Sequence, residues 1–146
     1  MEFVKAFVAG FLSTVVFHQG VLTLLYASGA TTRAPYSFDP TSPLQVPQVI
    51  SLAFWGGLWG MLLWLMLRTA RSSSQYWLWA LILGALGPSA IALFVVFPLK
   101  GQPFAGGWQA AILIGALILN GAWGLGVALF MRLFNRSTAP FSVQPH

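Results

Sequence analysis

The sequence predicts an all-α fold, an integral-membrane four-helix bundle with both termini on the cytoplasmic side. Three observations predict it. Of the 146 residues, 58% are hydrophobic and 6% charged, against about 25% charged in an ordinary soluble domain, so the chain could not cover itself in water. Its apolar residues gather into four runs, each near the roughly 20 residues that a helix needs to cross about 30 Å of hydrocarbon. The Lys and Arg residues lie at the ends of those runs, most of them on one side. Barrel strands are excluded, because they would alternate polar and apolar residues over about ten positions.

The first run covers residues 3–27. Lys5 lies near its start, ahead of the uninterrupted apolar stretch, and Ser28, Gly29 and Ala30 after it are small enough for a signal peptidase. The run nevertheless exceeds the roughly 7–15 apolar residues of a signal peptide, so it is expected to remain as span one. Residues 28–47 form an external loop carrying Pro35, Pro40, Pro43 and Pro47, with Tyr36, Phe38 and Asp39 among them. Loops beyond about 12–15 residues are uncommon without a task, and these aromatic residues point to packing on the bundle or on a partner. Span two covers 48–67, and the polar "RTARSSSQ" makes a short inner turn. Span three covers 76–97 and span four 108–131. Residues 1–136 thus make one domain, and the tail "STAPFSVQPH", 137–146, has little to bury and is expected to be a disordered cytoplasmic segment.

Orientation follows from charge, because cytoplasmic loops retain Lys and Arg. Lys5, Arg68, Arg71, Arg132 and Arg136 fall on one side, and Arg33 and Lys100 on the other. The net charge of +5 is therefore a topology signal, with some attraction to anionic lipid. Nucleic acid is not an expected partner, since no basic patch has a soluble face to carry it.

The absence of cysteine removes disulfides, thiolate metal sites and cysteine nucleophiles. Glu2, Asp39, His18 and His146 are the only carboxylates and histidines. Glu2 and Asp39 should lie on opposite sides of the membrane, so no carboxylate pair is available for acid and base chemistry. A zinc site needs three or four ligands. No metal, no cofactor and no catalysis are therefore expected. Haem enters only as a minor alternative, with His18 as an axial ligand paired with its copy across a dimer axis.

Helices in lipid associate through small residues and interhelical hydrogen bonds. Gly56 and Gly60 are spaced four apart in span two, and Ala116, Asn120 and Gly124 have the same spacing in span four, so Gly56, Gly60, Ala116 and Gly124 are expected helix-packing positions. "WGGLWGMLLWLMLR" at 55–68 also lies without a gap on "LNGAWGLGVALFMR" at 119–132, which matches Gly57 with Gly121, Trp59 with Trp123, Gly60 with Gly124 and Arg68 with Arg132. Two parallel repeated helical hairpins would produce this; so would chance recurrence in glycine-rich apolar helices, and spans one and three show no matching similarity.

Four polar residues lie inside the runs. His18 shares a helical face with Gly10 and Thr14, and Gln19 points about 100° away. Ser89 and Asn120 sit at comparable depth in spans three and four, which gives a central polar layer of His18, Gln19, Ser89 and Asn120. Pro88 clashes with the carbonyl of Gly84, so a helix kink is expected there, with Ser89 or a neighbouring helix satisfying the freed oxygen. Either the layer is a set of interhelical hydrogen bonds, or it is a binding site or polar path.

At "FHQG" in span one and "VPQVISLAFWGGLWG" leading into span two, the chain resembles a group of small uncharacterised bacterial inner-membrane proteins with four transmembrane helices. The resemblance implies a bacterial cytoplasmic membrane and carries no activity. The expected function is a multi-pass protein without catalysis, a self-associating or accessory subunit with the lipid bilayer and a homo-oligomer or larger membrane complex as its surroundings. The alternative is a small channel or transporter for protons or a small neutral solute through His18, Gln19 and Asn120.

Overall fold

The computed structural model describes residues 1–136; the tail expected to be disordered lies outside the described residues, as does His146. The fold is an all-α bundle of four helices, each long and apolar enough to cross a membrane: α1 (Glu2–Ala27), α2 (Gln48–Leu67), α3 (Ser73–Leu99) and α4 (Ala110–Arg136). α3 starts earlier than its apolar run because Ser72 caps it, its hydroxyl accepting from the Gln75 backbone N–H at 3.1 Å. Such a cap satisfies one of the orphan donors at a helix start. α4 likewise runs on past the apolar stretch through Arg132 and Arg136.

α1 packs most extensively on α2 and on α4, and α4 on α3, whereas α2 and α3 meet only lightly. α1 and α4 are therefore the central pair and α2 and α3 flank them. Glycine makes the close crossings. A methyl group on Gly10 would collide with the carbonyl oxygen of Gly56 and stand 3.0 Å from the Cα of Gly60. On the other side, a methyl group on Gly84 would stand 2.7 Å from the Cα of Gly124. Neighbouring chains this close gain dispersion contacts that bulkier residues would forbid.

The two crossings correspond. Gly60 faces the Ala6 carbonyl and Gly10, and Gly124 faces the Ala80 carbonyl and Gly84, so an Ala-x-x-x-Gly step recurs in α1 and α3 opposite the matching glycines of α2 and α4. The correspondence between α1 and α3 consists of two small residues in each, too few to stand out as sequence similarity. The halves are nonetheless not equivalent in packing, because α1 meets α4 broadly while α2 barely meets α3.

Two wide π turns interrupt the helices, Thr14–His18 in α1 and Ala92–Val96 in α3. α3 continues as regular helix through Pro88 to Ile91, and the departure from α geometry follows one residue later. The loop between α1 and α2 holds a short antiparallel pair, β1 (Pro40–Thr41) and β2 (Val46–Pro47). The turn before α4 passes through the left-handed region at Ala105, Gly106, Gly107 and Trp108. It packs through Phe104 and Trp108 on Phe94 of α3, with centroids 5.2 and 6.2 Å away. At the end carrying the N-terminus, Tyr76 donates to the Ala128 carbonyl at 2.9 Å and Lys5 bonds Glu2 at 2.9 Å and Asn135 at 3.1 Å.

Candidate functional site

The polar interior is built outward from the π turn of α1. Trp123, 3% exposed, sends its indole Nε1–H to the Gly10 carbonyl at 3.1 Å, and the Thr14 hydroxyl donates to the same oxygen at 3.0 Å. Ser13 answers from α1, its hydroxyl donating to the Trp123 carbonyl at 2.6 Å. The central pair is thus tied in both directions through backbone oxygens. Inside the π turn the Val15 carbonyl accepts from the Tyr36 hydroxyl at 2.9 Å, which supplies the partner that a carbonyl in hydrocarbon requires.

Tyr36 also fixes Gln19. The Gln19 Oε1 accepts from the Tyr36 backbone N–H at 2.7 Å, and its Nε2 lies 3.4 Å from His18 Nδ1. Thr23 donates to the Gln19 carbonyl at 2.8 Å. Gln19 is 3% and His18 8% exposed, and the loop covers Gln19 through Tyr36. The space left beside Gln19, among Arg33, Ser37 and Gln48, is about 10 Å³, room for about one water molecule.

Ser89 and Asn120 form a second pair, Asn120 Nδ2 donating to Ser89 Oγ at 3.0 Å. Ser89 is thereby engaged across the α3–α4 crossing, and the expected bond from Ser89 to the Gly84 carbonyl is not formed among the described hydrogen bonds. No hydrogen bond among the described residues joins His18 or Gln19 to Ser89 or Asn120. The four side chains of the expected central layer therefore fall into two pairs, one tied to the loop and one within a helix crossing. Every buried side-chain nitrogen and oxygen among the described residues has a partner.

Gly56, Gly60 and Gly124 lie at helix crossings, and Ala116, on the same strip as Asn120 and Gly124, remains partly exposed. Among the described residues no three His, Cys, Asp or Glu side chains come together. His18, the candidate axial ligand, is 8% exposed within its own chain.

Sequence reasoning missed Ser13, the hydrogen bonds of Tyr36 and the donor role of Trp123. Trp123 reads as a space-filling residue, but a buried indole N–H needs an acceptor, and that requirement is the signal that could have flagged it. Together these elements define a polytopic helical bundle whose fully buried side-chain polar atoms, among the described residues, are all hydrogen-bonded. Compared with protein-family models, with curated proteins and with solved structures, the chain matches none.

Proposed function

We propose that this chain is a multi-pass protein of the bacterial cytoplasmic membrane, with both termini inside, that has no catalysis of its own and serves as a self-associating or accessory subunit of a membrane assembly. The observation that carries the reading is the pairing of every buried side-chain polar atom among the described residues. A conducting or binding interior would keep some of these groups open to a substrate. The loop supports the reading from the outside, since Phe38 and Leu44 are 71% and 80% exposed and offer apolar surface to a neighbour. The excess of Lys and Arg at the terminal end supports the orientation.

A second reading is a small channel or transporter for protons or a small neutral solute. It is favoured by the burial of His18 beside Gln19 inside a span, where an ionisable residue is by default a functional candidate.

Native mass spectrometry of the protein, gently extracted from its own membrane, tests the first reading. A homo-oligomer or a complex with another subunit is expected. A bare monomer would overturn association and move weight to transport.

A further inference from the structure

At the end of the bundle carrying the N-terminus, α2, α3 and α4 leave an open groove of about 460 Å³ lined by Trp64, Tyr76, Arg132, Asn135 and Arg136. Arg132 is held in place at its wall. Its guanidinium lies 4.7 Å from the Tyr76 ring centroid and 5.1 Å from that of Trp77, and its NH2 donates to the Ser73 hydroxyl at 2.8 Å. A guanidinium carries five donors in a planar fork that fits a phosphate, so most of that fork is left for a ligand. Ser73 opens α3 directly after the Ser72 cap, and the start of a helix adds partial positive charge at this point. The chain offers little counter-charge. Its only acidic side chains are Glu2 and Asp39; Glu2 pairs with Lys5 at 2.9 Å, and Asp39 accepts from Ser37 in the loop between α1 and α2.

We propose that this groove binds the phosphodiester headgroup of an anionic membrane lipid, with Arg132 and Arg136 on the phosphate and Trp64 and Tyr76 beside the first carbons of the acyl chains. The location selects a lipid over a soluble anion, because the groove lies where three spanning helices end and where aromatic rings sit at the headgroup level. The inference rests on α1 to α4 being membrane spans and is independent of whether the chain associates with a partner.

The test reconstitutes the full chain into vesicles of phosphatidylcholine alone, or of phosphatidylcholine and phosphatidylglycerol in equal parts. Flotation reports insertion, and native mass spectrometry of the re-extracted protein reports retained phosphatidylglycerol. The wild type should float with both vesicles and retain phosphatidylglycerol selectively. Replacing both arginines, Arg132→Gln with Arg136→Gln, should lower that retention about 25-fold, roughly fivefold for each charge. Arg136→Gln alone, at an exposed position, should give the fivefold loss without disturbing the ring contacts. Arg68→Gln with Arg71→Gln, at the same end but outside the groove, should leave retention unchanged. Equal loss in that control would mean diffuse charge and overturn the site. Displacement of the lipid by inorganic phosphate would overturn the lipid assignment. Flotation without selectivity would overturn the proposal alone, whereas failure to float would overturn the spanning reading as well.

Discussion

Trp123 of α4 donates its indole N–H to the backbone carbonyl of Gly10 in α1 at 3.1 Å, the carbonyl that the Thr14 hydroxyl also reaches. A side chain at position 10 would collide with the backbone of α2 at Gly56 and Gly60. The glycine therefore serves two purposes, admitting α2 on one side and presenting its oxygen to α4 on the other.

Replacing Trp123 by Phe keeps a ring and removes the donor, and it should cost about 0.6 kcal/mol, up to about 1.7, as interhelical hydrogen bonds in membranes do. Trp123→Ala also empties the centre of the core and should cost about 3–5 kcal/mol. Reversible unfolding in mixed micelles would measure both, and an unchanged stability for Trp123→Phe beside a large loss for Trp123→Ala would show that the hydrogen bond contributes nothing separable.

Gly10→Ala and Gly84→Ala each place a methyl group against backbone of the neighbouring helix, and should lower stability by about 1–3 kcal/mol, the usual cost of overpacking. Gly20→Ala and Gly115→Ala meet nothing within 4 Å and should be neutral or slightly stabilising. Thermal unfolding of the four variants separates crossing glycines from free ones.

Gln19→Leu removes the acceptor of the Tyr36 backbone N–H. A buried donor left unsatisfied costs about 1–3 kcal/mol, enough to release the loop locally. Amide hydrogen exchange in residues 28–47 should accelerate while α3 and α4 keep their protection; unchanged exchange in the loop would mean that the bond from Tyr36 to Gln19 does not hold it.

Because the chain lacks cysteine, single introduced thiols report topology cleanly. Thr32→Cys and Ser74→Cys lie in exposed segments at opposite ends of the bundle. In intact cells an impermeant maleimide should label position 32 and spare position 74, and the reverse pattern would invert the proposed orientation.

The bundle was legible because hydropathy reports burial in lipid directly, and four apolar runs of spanning length leave few alternatives. The crossings were partly legible: Gly56, Gly60 and Gly124 announce close approach by their spacing, while their partners Ala6 and Ala80 do not stand out among so many apolar residues. The polar interior was the hardest part. His18, Gln19, Ser89 and Asn120 can be placed at a common depth by counting residues, but depth does not say which side chains face each other. Their pairing depends on helix rotation, on a π turn that no residue at 14–18 signals, and on Tyr36 adopting a left-handed backbone, φ 51, without being glycine. The carbonyl of Gly10 leaves no trace in a sequence at all, since every residue has one.

Asn120→Leu combined with Ser89→Ala in a double-mutant cycle should return a coupling near 0.6 kcal/mol, as befits a structural pair.

Whether the interior is closed can be decided by proton flux into pyranine-loaded proteoliposomes under an imposed pH gradient. With the polar groups paired as Asn120 with Ser89 and Gln19 with Tyr36, the wild type should leak no faster than protein-free liposomes, and His18→Ala should change nothing. Flux above that background, lost in His18→Ala, would contradict a closed bundle and make His18 part of a conduction path.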